Sequence, residues 1–224
     1  MGHFSPRSRP PVVRKRLYSS ILKDRLTKIF LLSPAWLGGR RALLLLRPEA
    51  AFPLACRLRR SGLPLGEAFT FASGLYFRGK LAYAERFAAG PGGAVRVITT
   101  QRGLASPAAL VTAEELRSFG EVAIDAAEPR FHLPLRRDAA ALARRLLPDG
   151  CAVLLGSIAT PKYREILLEC FGDRLLFPAA FVGRGDLSRG GLLLRSAQTG
   201  AELPYLRVRG AGFRGRRAPR LGGS

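Results

Sequence analysis

Asp186 is the carboxylate best placed for chemistry in this chain. It lies in the stretch Gly183-Arg184-Gly185-Asp186-Leu187-Ser188-Arg189-Gly190-Gly191, where four glycines let backbone approach a ligand closely. A carboxylate there could act as general base for water attack, although its plainer role is to neutralise Arg184 or Arg189. Ser157, in a strand-to-helix turn, is the other candidate catalytic residue. Ser-His-Asp or Cys-His catalysis needs a positioned imidazole. The chain has two histidines, His3 in a basic leading segment and His132 in a stretch bounded by prolines, and His132 reads as an ordinary loop residue. No GxSxG elbow, Walker loop or HExxH helix is present.

Paired carboxylates offer little more. Glu114 and Glu115 belong to the first turn of a capped helix, where acids favour the dipole. Asp125 and Glu128 fall in a loop. Cys56, Cys151 and Cys170 have no CxxC spacing, so neither a metal nor a cofactor is expected, and their scatter suits a reducing, cytoplasmic compartment. An enzyme built without histidine would act through positioning and electrostatics, as N-glycosidic chemistry often does. Arg78, Lys80, Arg102 and Lys162 could then neutralise phosphates while Tyr76, Tyr163 or Trp36 stacks on a base. The plainer reading of Arg78 and Lys80 is the solvated face of a helix.

Positioning such groups falls to three short apolar runs that read as buried strands: Ile29–Leu32, Val95–Ile98 and Cys151–Leu155. Between them lie helical patterns at Pro48–Arg60 (interrupted by Pro53), Leu75–Ala88, Thr112–Phe119, Arg136–Leu147 and Pro161–Phe171. Thr112 with Glu115 is a capping box, and Gly172 is a C-terminal stop. Strands alternating with helices predict an α/β fold, a mostly parallel central sheet flanked by helices. Arg174–Phe177 and Gly191–Ala197 read as further strands, and Thr199-Gly200 reads as a turn into Leu203–Arg209. An antiparallel β-hairpin addition is therefore expected at the C-terminus, with GRGDLSRGG as a flexible turn leading into it. That turn would fold Arg184, Asp186, Ser188 and Arg189 over the sheet edge as a lid. An adhesion role for its Arg-Gly-Asp fails for want of a secretory signal, and a phosphate loop fails because no Gly-Lys-Ser/Thr follows.

Ligands of open α/β sheets sit at the carboxyl ends of the strands. All three core strands run into small polar residues there. Ser33 and Arg40 follow the first, Thr99, Thr100, Arg102 and Gly103 the second, and Gly156, Ser157, Thr160, Lys162 and Tyr163 the third. With Tyr76 and Arg78 from the helix Leu75–Ala88, these are the candidate ligand-binding residues, and hydroxyls and free N–H groups collected on one edge suit an anionic or heterocyclic ligand.

Charge points the same way. The net charge is +21, and residues 1–28 carry eight Lys/Arg against Asp24, while residues 205–224 carry six Arg and no acid. These ends read as a basic N-terminal arm (1–28) and a basic Gly/Arg-rich tail (210–224) around a single α/β domain at 29–209, with solvated tails as the alternative. Only five of the 37 basic residues are Lys, a bias that a GC-rich genome also produces. With 47% hydrophobic residues the chain can bury a core, which excludes wholesale disorder. No apolar run approaches the ~18 residues that span a bilayer, so no membrane partner is expected. The Arg- and Ser-rich start is compatible with an organellar transit segment and lacks the apolar stretch of a secretory signal.

Leu31-Leu32-Ser33-Pro34-Ala35 resembles the opening strand motif of the YaaA-like peroxide-stress family. Thr99-Thr100-Gln101-Arg102-Gly103-Leu104-Ala105-Ser106-Pro107 is similar to that family's second motif, Phe71 and Tyr76 keep its Phe-to-Tyr interval, and LLGSIATPKY resembles its later turn ending in Tyr. The order agrees over residues 29–170. Trp36 stands where the family has Lys, and its Pro-Tyr-Arg segment is missing. The resemblance implies an α/β fold, DNA-binding capacity and a link to the oxidative stress response. Together these readings lead to a protein that binds nucleic acid or a nucleotide-like anion mainly through Arg–phosphate contacts. The alternatives are an enzyme acting on a nucleotide or nucleobase at the strand ends, and a basic-armed assembly protein of an RNA-rich particle.

Overall fold

In the computed structural model of the chain, residues 26–159 and 161–211 are described. The predicted arm and tail lie almost wholly outside the described residues, and so does Thr160. The first strand begins earlier than its apolar run suggests: β1 spans Leu26–Leu32, so Leu26–Lys28 belong to the sheet and not to an arm. Ile29, Phe30, Leu31 and Leu32 are fully buried. That unbroken run is what a central parallel strand, covered on both faces, requires.

Parallel to β1 run β3 (Gly93–Ile98) on one side and β6 (Leu146–Leu155) on the other. Beyond β6 lies β7 (Leu175–Pro178), also parallel. The edges are antiparallel: β4 (Leu104–Ala105) on β3 and β8 (Tyr205–Arg207) on β7. The sheet order is β4-β3-β1-β6-β7-β8. A separate two-stranded pair joins β2 (Leu63–Pro64) to β5 (Leu110–Val111).

Eight α-helices are present among the described residues: α1 (Arg40–Leu46), α2 (Pro53–Ser61), α3 (Leu65–Ser73), α4 (Leu75–Phe87), α5 (Ala113–Glu121), α6 (Pro129–Arg145), α7 (Lys162–Phe171) and α8 (Asp186–Thr199). The crossover from β1 to β3 moves one way along the sheet, and those from β3 to β6 and β6 to β7 move the other way. Right-handed crossovers therefore put α4 on one face and α6 with α7 on the other. The packing agrees: α4 lies against β1, β3 and α8, while α6 lies against α7. This is the expected α/β architecture, a mostly parallel sheet between helices.

Several elements differ from expectation. Prolines shift two helices, because Pro at N1 loses no hydrogen bond. Pro53 opens α2 instead of interrupting it, and Pro129 opens α6 seven residues before the predicted start. The Glu128 carboxylate caps α6 by accepting from the Arg130 amide at 3.1 Å. His132 thus sits on a helix, half-buried, and not in a loop.

The largest correction concerns residues 183–199. Asp186–Thr199 form helix α8 where a flexible turn and a strand are predicted, and Gly200 (φ 72°) is its left-handed C-terminal stop. An added Cβ at Gly79 of α4 would meet the Gly190 carbonyl oxygen at 2.5 Å, and one at Gly190 would meet the Leu75 carbonyl oxygen at 2.9 Å. The two helices cross with bare backbone against backbone, so Gly190 serves packing and not flexibility. The antiparallel addition at the C-terminal end is present as β7 with β8, with α8 between them.

Candidate functional site

Leu32 pairs with Leu155, so Ser33 and Gly156 leave the sheet side by side. They do so at the switch point, where connections from adjacent parallel strands depart in opposite directions. Gly156 is obligatory: a Cβ there would lie 2.8 Å from both Ser33 Cβ and the Tyr163 hydroxyl. Tyr163, on the first turn of α7, is buried and donates to the Ser157 carbonyl at 3.1 Å. Burial raises its phenol pKa.

Into this corner reaches a residue that sequence reasoning left on a solvated face. Lys80 of α4 is 1% exposed. Its Nζ donates to the Ser33 carbonyl at 2.7 Å and to Ser33 Oγ at 2.8 Å. It also lies 4.5 Å from the ring centroid of Tyr76 and 4.8 Å from that of Phe77. Desolvation lowers the Lys80 pKa to about 7, opposed by attraction to Asp186. The helical spacing held the signal. Tyr76, Lys80 and Tyr83 fall at intervals of four and three, on the buried stripe of α4, while Arg78 points to solvent.

Tyr76 and Arg189 complete the cluster. Tyr76 is buried and its hydroxyl adjoins the Arg189 guanidinium. Burial pushes its phenol well above the usual tyrosine range, with Arg189 pulling the other way. Its ring meets that of Phe181 edge-on at 6.4 Å. Arg189 stacks its guanidinium 5.4 Å from the same ring and donates to the Phe181 carbonyl at 3.1 Å. Asp186 pairs with Arg189 at 3.4 Å from an exposed position in the first turn of α8, which fits the neutralising role expected of it.

Of the predicted residues, the fold thus gathers Ser33, Tyr76, Gly156, Ser157, Tyr163, Asp186 and Arg189 around Lys80. Others are engaged elsewhere. Thr99 Oγ1 donates to the Gly103 carbonyl and accepts from the Arg102 amide, Thr100 donates to Phe119, and Arg102 pairs with Glu115 at 3.2 Å. That turn spends its polar groups on itself. Arg184 donates to Ser188 at 3.1 Å, inside the start of α8 and not across a mobile lid. Ser157 Oγ accepts from the Ala159 amide at 3.3 Å, a local turn contact.

Two surface features adjoin the strand ends. An open crevice of about 430 Å³ is lined by Trp36, Gly38, Thr100, Glu121 and Lys162 among others. Trp36 is 75% exposed. Arg40, Arg41, Leu43, Leu44 and Arg47 of α1, the helix that begins four residues after Trp36, line a second, shallow groove. Arg40 and Lys162 therefore belong to this surface, as does Arg78 to the exposed side of α4. Among the described residues no three His, Cys, Asp or Glu come together as a metal site, and no helix is long and apolar enough to cross a membrane.

Fold and site define a doubly wound α/β protein with a buried lysine at the switch point and a basic, tryptophan-bearing surface beside it. No protein-family model, characterised protein or solved structure matches the chain.

Proposed function

We propose that the protein binds nucleic acid or a nucleotide-like anion across the strand-end surface, with Trp36 stacking on a base and α1 holding phosphate. The observation that carries this reading is the placement of Trp36. A 75%-exposed indole is costly to leave in water, and here it lines the crevice four residues before α1, whose Arg40, Arg41 and Arg47 line the groove. None of these three arginines has an ion-pair partner among the described residues. An aromatic platform flanked by unpaired guanidinium groups suits a single strand, because stacking tolerates any base and arginines track the backbone.

The test is fluorescence anisotropy with a labelled single-stranded oligonucleotide across a salt series. Affinity should fall steeply with salt, with a log–log slope near −0.7 per phosphate contacted. Trp36→Ala should weaken binding about tenfold or more, and Arg40→Ala, Arg41→Ala and Arg47→Ala together should flatten the slope by about two units. Binding that is insensitive to salt, or unchanged in both variants, would refute the reading.

A further inference from the structure

Two charged side chains of the strand-end crevice stand against the dipoles of the helices that carry them. Glu121 is the last residue of α5, at the negative end, and Lys162 is the first residue of α7, at the positive end. Each placement is unfavourable on its own, and neither residue has an ion-pair partner among the described residues. Arg130 attracts Glu121, but the Glu128 carboxylate already holds that guanidinium at two points, each 2.9 Å. Both Glu121 and Lys162 line the same crevice as Trp36.

The crevice is built to hold its groups in place. Thr100 donates to the Phe119 carbonyl at 2.9 Å and Gln101 Nε2 to the Ser118 carbonyl at 2.9 Å. The last turn of α5 is thereby fastened to the end of β3, which fixes the backbone of Glu121 at the crevice wall. The indole of Trp36 rests on Gly38 and Gly39. A Cβ on Gly38 would meet Trp36 Nε1 at 3.0 Å, and one on Gly39 would meet Cε3 at 3.4 Å. These glycines seat one side of the ring, and its 75% exposure leaves the rest open. At about 430 Å³ the crevice has the size of a small-ligand site, ~300–1,000 Å³.

We infer that the crevice reads the hydrogen-bonding edge of the base stacked on Trp36, and that the base it selects is guanine. This rests on the reading in which Trp36 stacks on a base. A carboxylate only accepts hydrogen bonds, and its two oxygens together match two adjacent donors. Guanine alone among the common bases offers that pair, N1–H beside the 2-amino group, and its O6 next to them accepts from Lys162. Adenine, cytosine and thymine each set an acceptor beside the donor, where it repels the second carboxylate oxygen. In the complex both Glu121 and Lys162 gain the partner they otherwise lack.

The test is quenching of Trp36, the one tryptophan of the chain, by short single strands of thymidine. The central base is left as thymine or replaced with guanine, adenine, cytosine or hypoxanthine. The guanine strand should bind about tenfold more tightly than the adenine or cytosine strand. Hypoxanthine lacks the 2-amino group and should lose most of that margin. Glu121 is exposed, so Glu121→Gln leaves the core untouched. It should bring the ratio of guanine to adenine affinity close to one. Equal quenching by all five strands, or a guanine margin that survives in Glu121→Gln, overturns the inference and leaves the stacking reading standing. Quenching by none of the strands overturns both.

Discussion

Lys80→Met should make the protein more stable at neutral pH and below, and the gain should shrink as pH rises. Methionine fills the same space beside Tyr76 and Phe77 and brings no charge into it. The size of the effect follows from the lysine itself. Its pKa falls from the ordinary 10.5 to about 7 on folding, and at about 1.4 kcal/mol per tenfold this amounts to at most about 5 kcal/mol. The sign comes from proton counting. Between pH 7 and 10.5 the unfolded chain holds a proton on Lys80 that the native state has released, so wild-type stability rises with pH across that window. Below pH 7 both states are protonated and the full penalty is present. Losing the two Ser33 hydrogen bonds costs the variant roughly 1–3 kcal/mol, but that cost does not vary with pH. The assay is urea unfolding of both proteins from pH 6 to 9.5 in chloride buffers. The difference between variant and wild type should fall by about 3 kcal/mol across the range. Parallel pH profiles would show that Lys80 titrates normally, and the burial argument would be wrong.

The remaining expectations concern packing and capping. Gly79→Ala and Gly190→Ala should each cost about 2–3 kcal/mol in urea unfolding, because each new methyl meets backbone that cannot rotate away. Gly191→Ala is the control: its Cβ meets nothing within 4 Å, so helix propensity should raise stability by roughly 0.5–1 kcal/mol. Thr112→Ala removes the capping box that Thr112 and Glu115 form at 3.2 and 3.0 Å and should cost about 1 kcal/mol by the same measurement. Gly156→Ala should shift thermal unfolding downward, since its Cβ would press on Ser33 and Tyr163.

The strands were legible because burial on both faces writes itself as an unbroken apolar run, and Ile29–Leu32 and Cys151–Leu155 are such runs. The capped helix at Thr112 was legible for a local reason, since both partners of the box lie within four residues. What could not be read was set by distant partners. Gly190 and Gly191 look like a hinge until α4 is laid against Gly190. Arg102, Thr99 and Thr100 look like ligand-facing groups because nothing in the sequence reveals that Glu115, Gly103 and Phe119 will take their hydrogen bonds. Lys80 shows the opposite error. Its charge argued for solvent, and the period of Tyr76 and Tyr83 on either side argued for the core, where it lies.

The glycine contact and the lysine are parts of one arrangement. Gly190 can pack against the backbone of Leu75 and Tyr76 only because neither it nor Gly79 has a side chain, since a Cβ on Gly190 would lie 2.9 Å from the Leu75 carbonyl oxygen. Arg189 precedes Gly190, so that approach is what brings a guanidinium beside the Tyr76 phenol and seals the space above Lys80. A larger residue at either position would push α8 outward, admit water to the ammonium and return its pKa toward the ordinary value. The stretch GRGDLSRGG therefore acts through its backbone. Its glycines set the distance between two helices, and that distance sets the electrostatics of a lysine that the stretch itself does not contain.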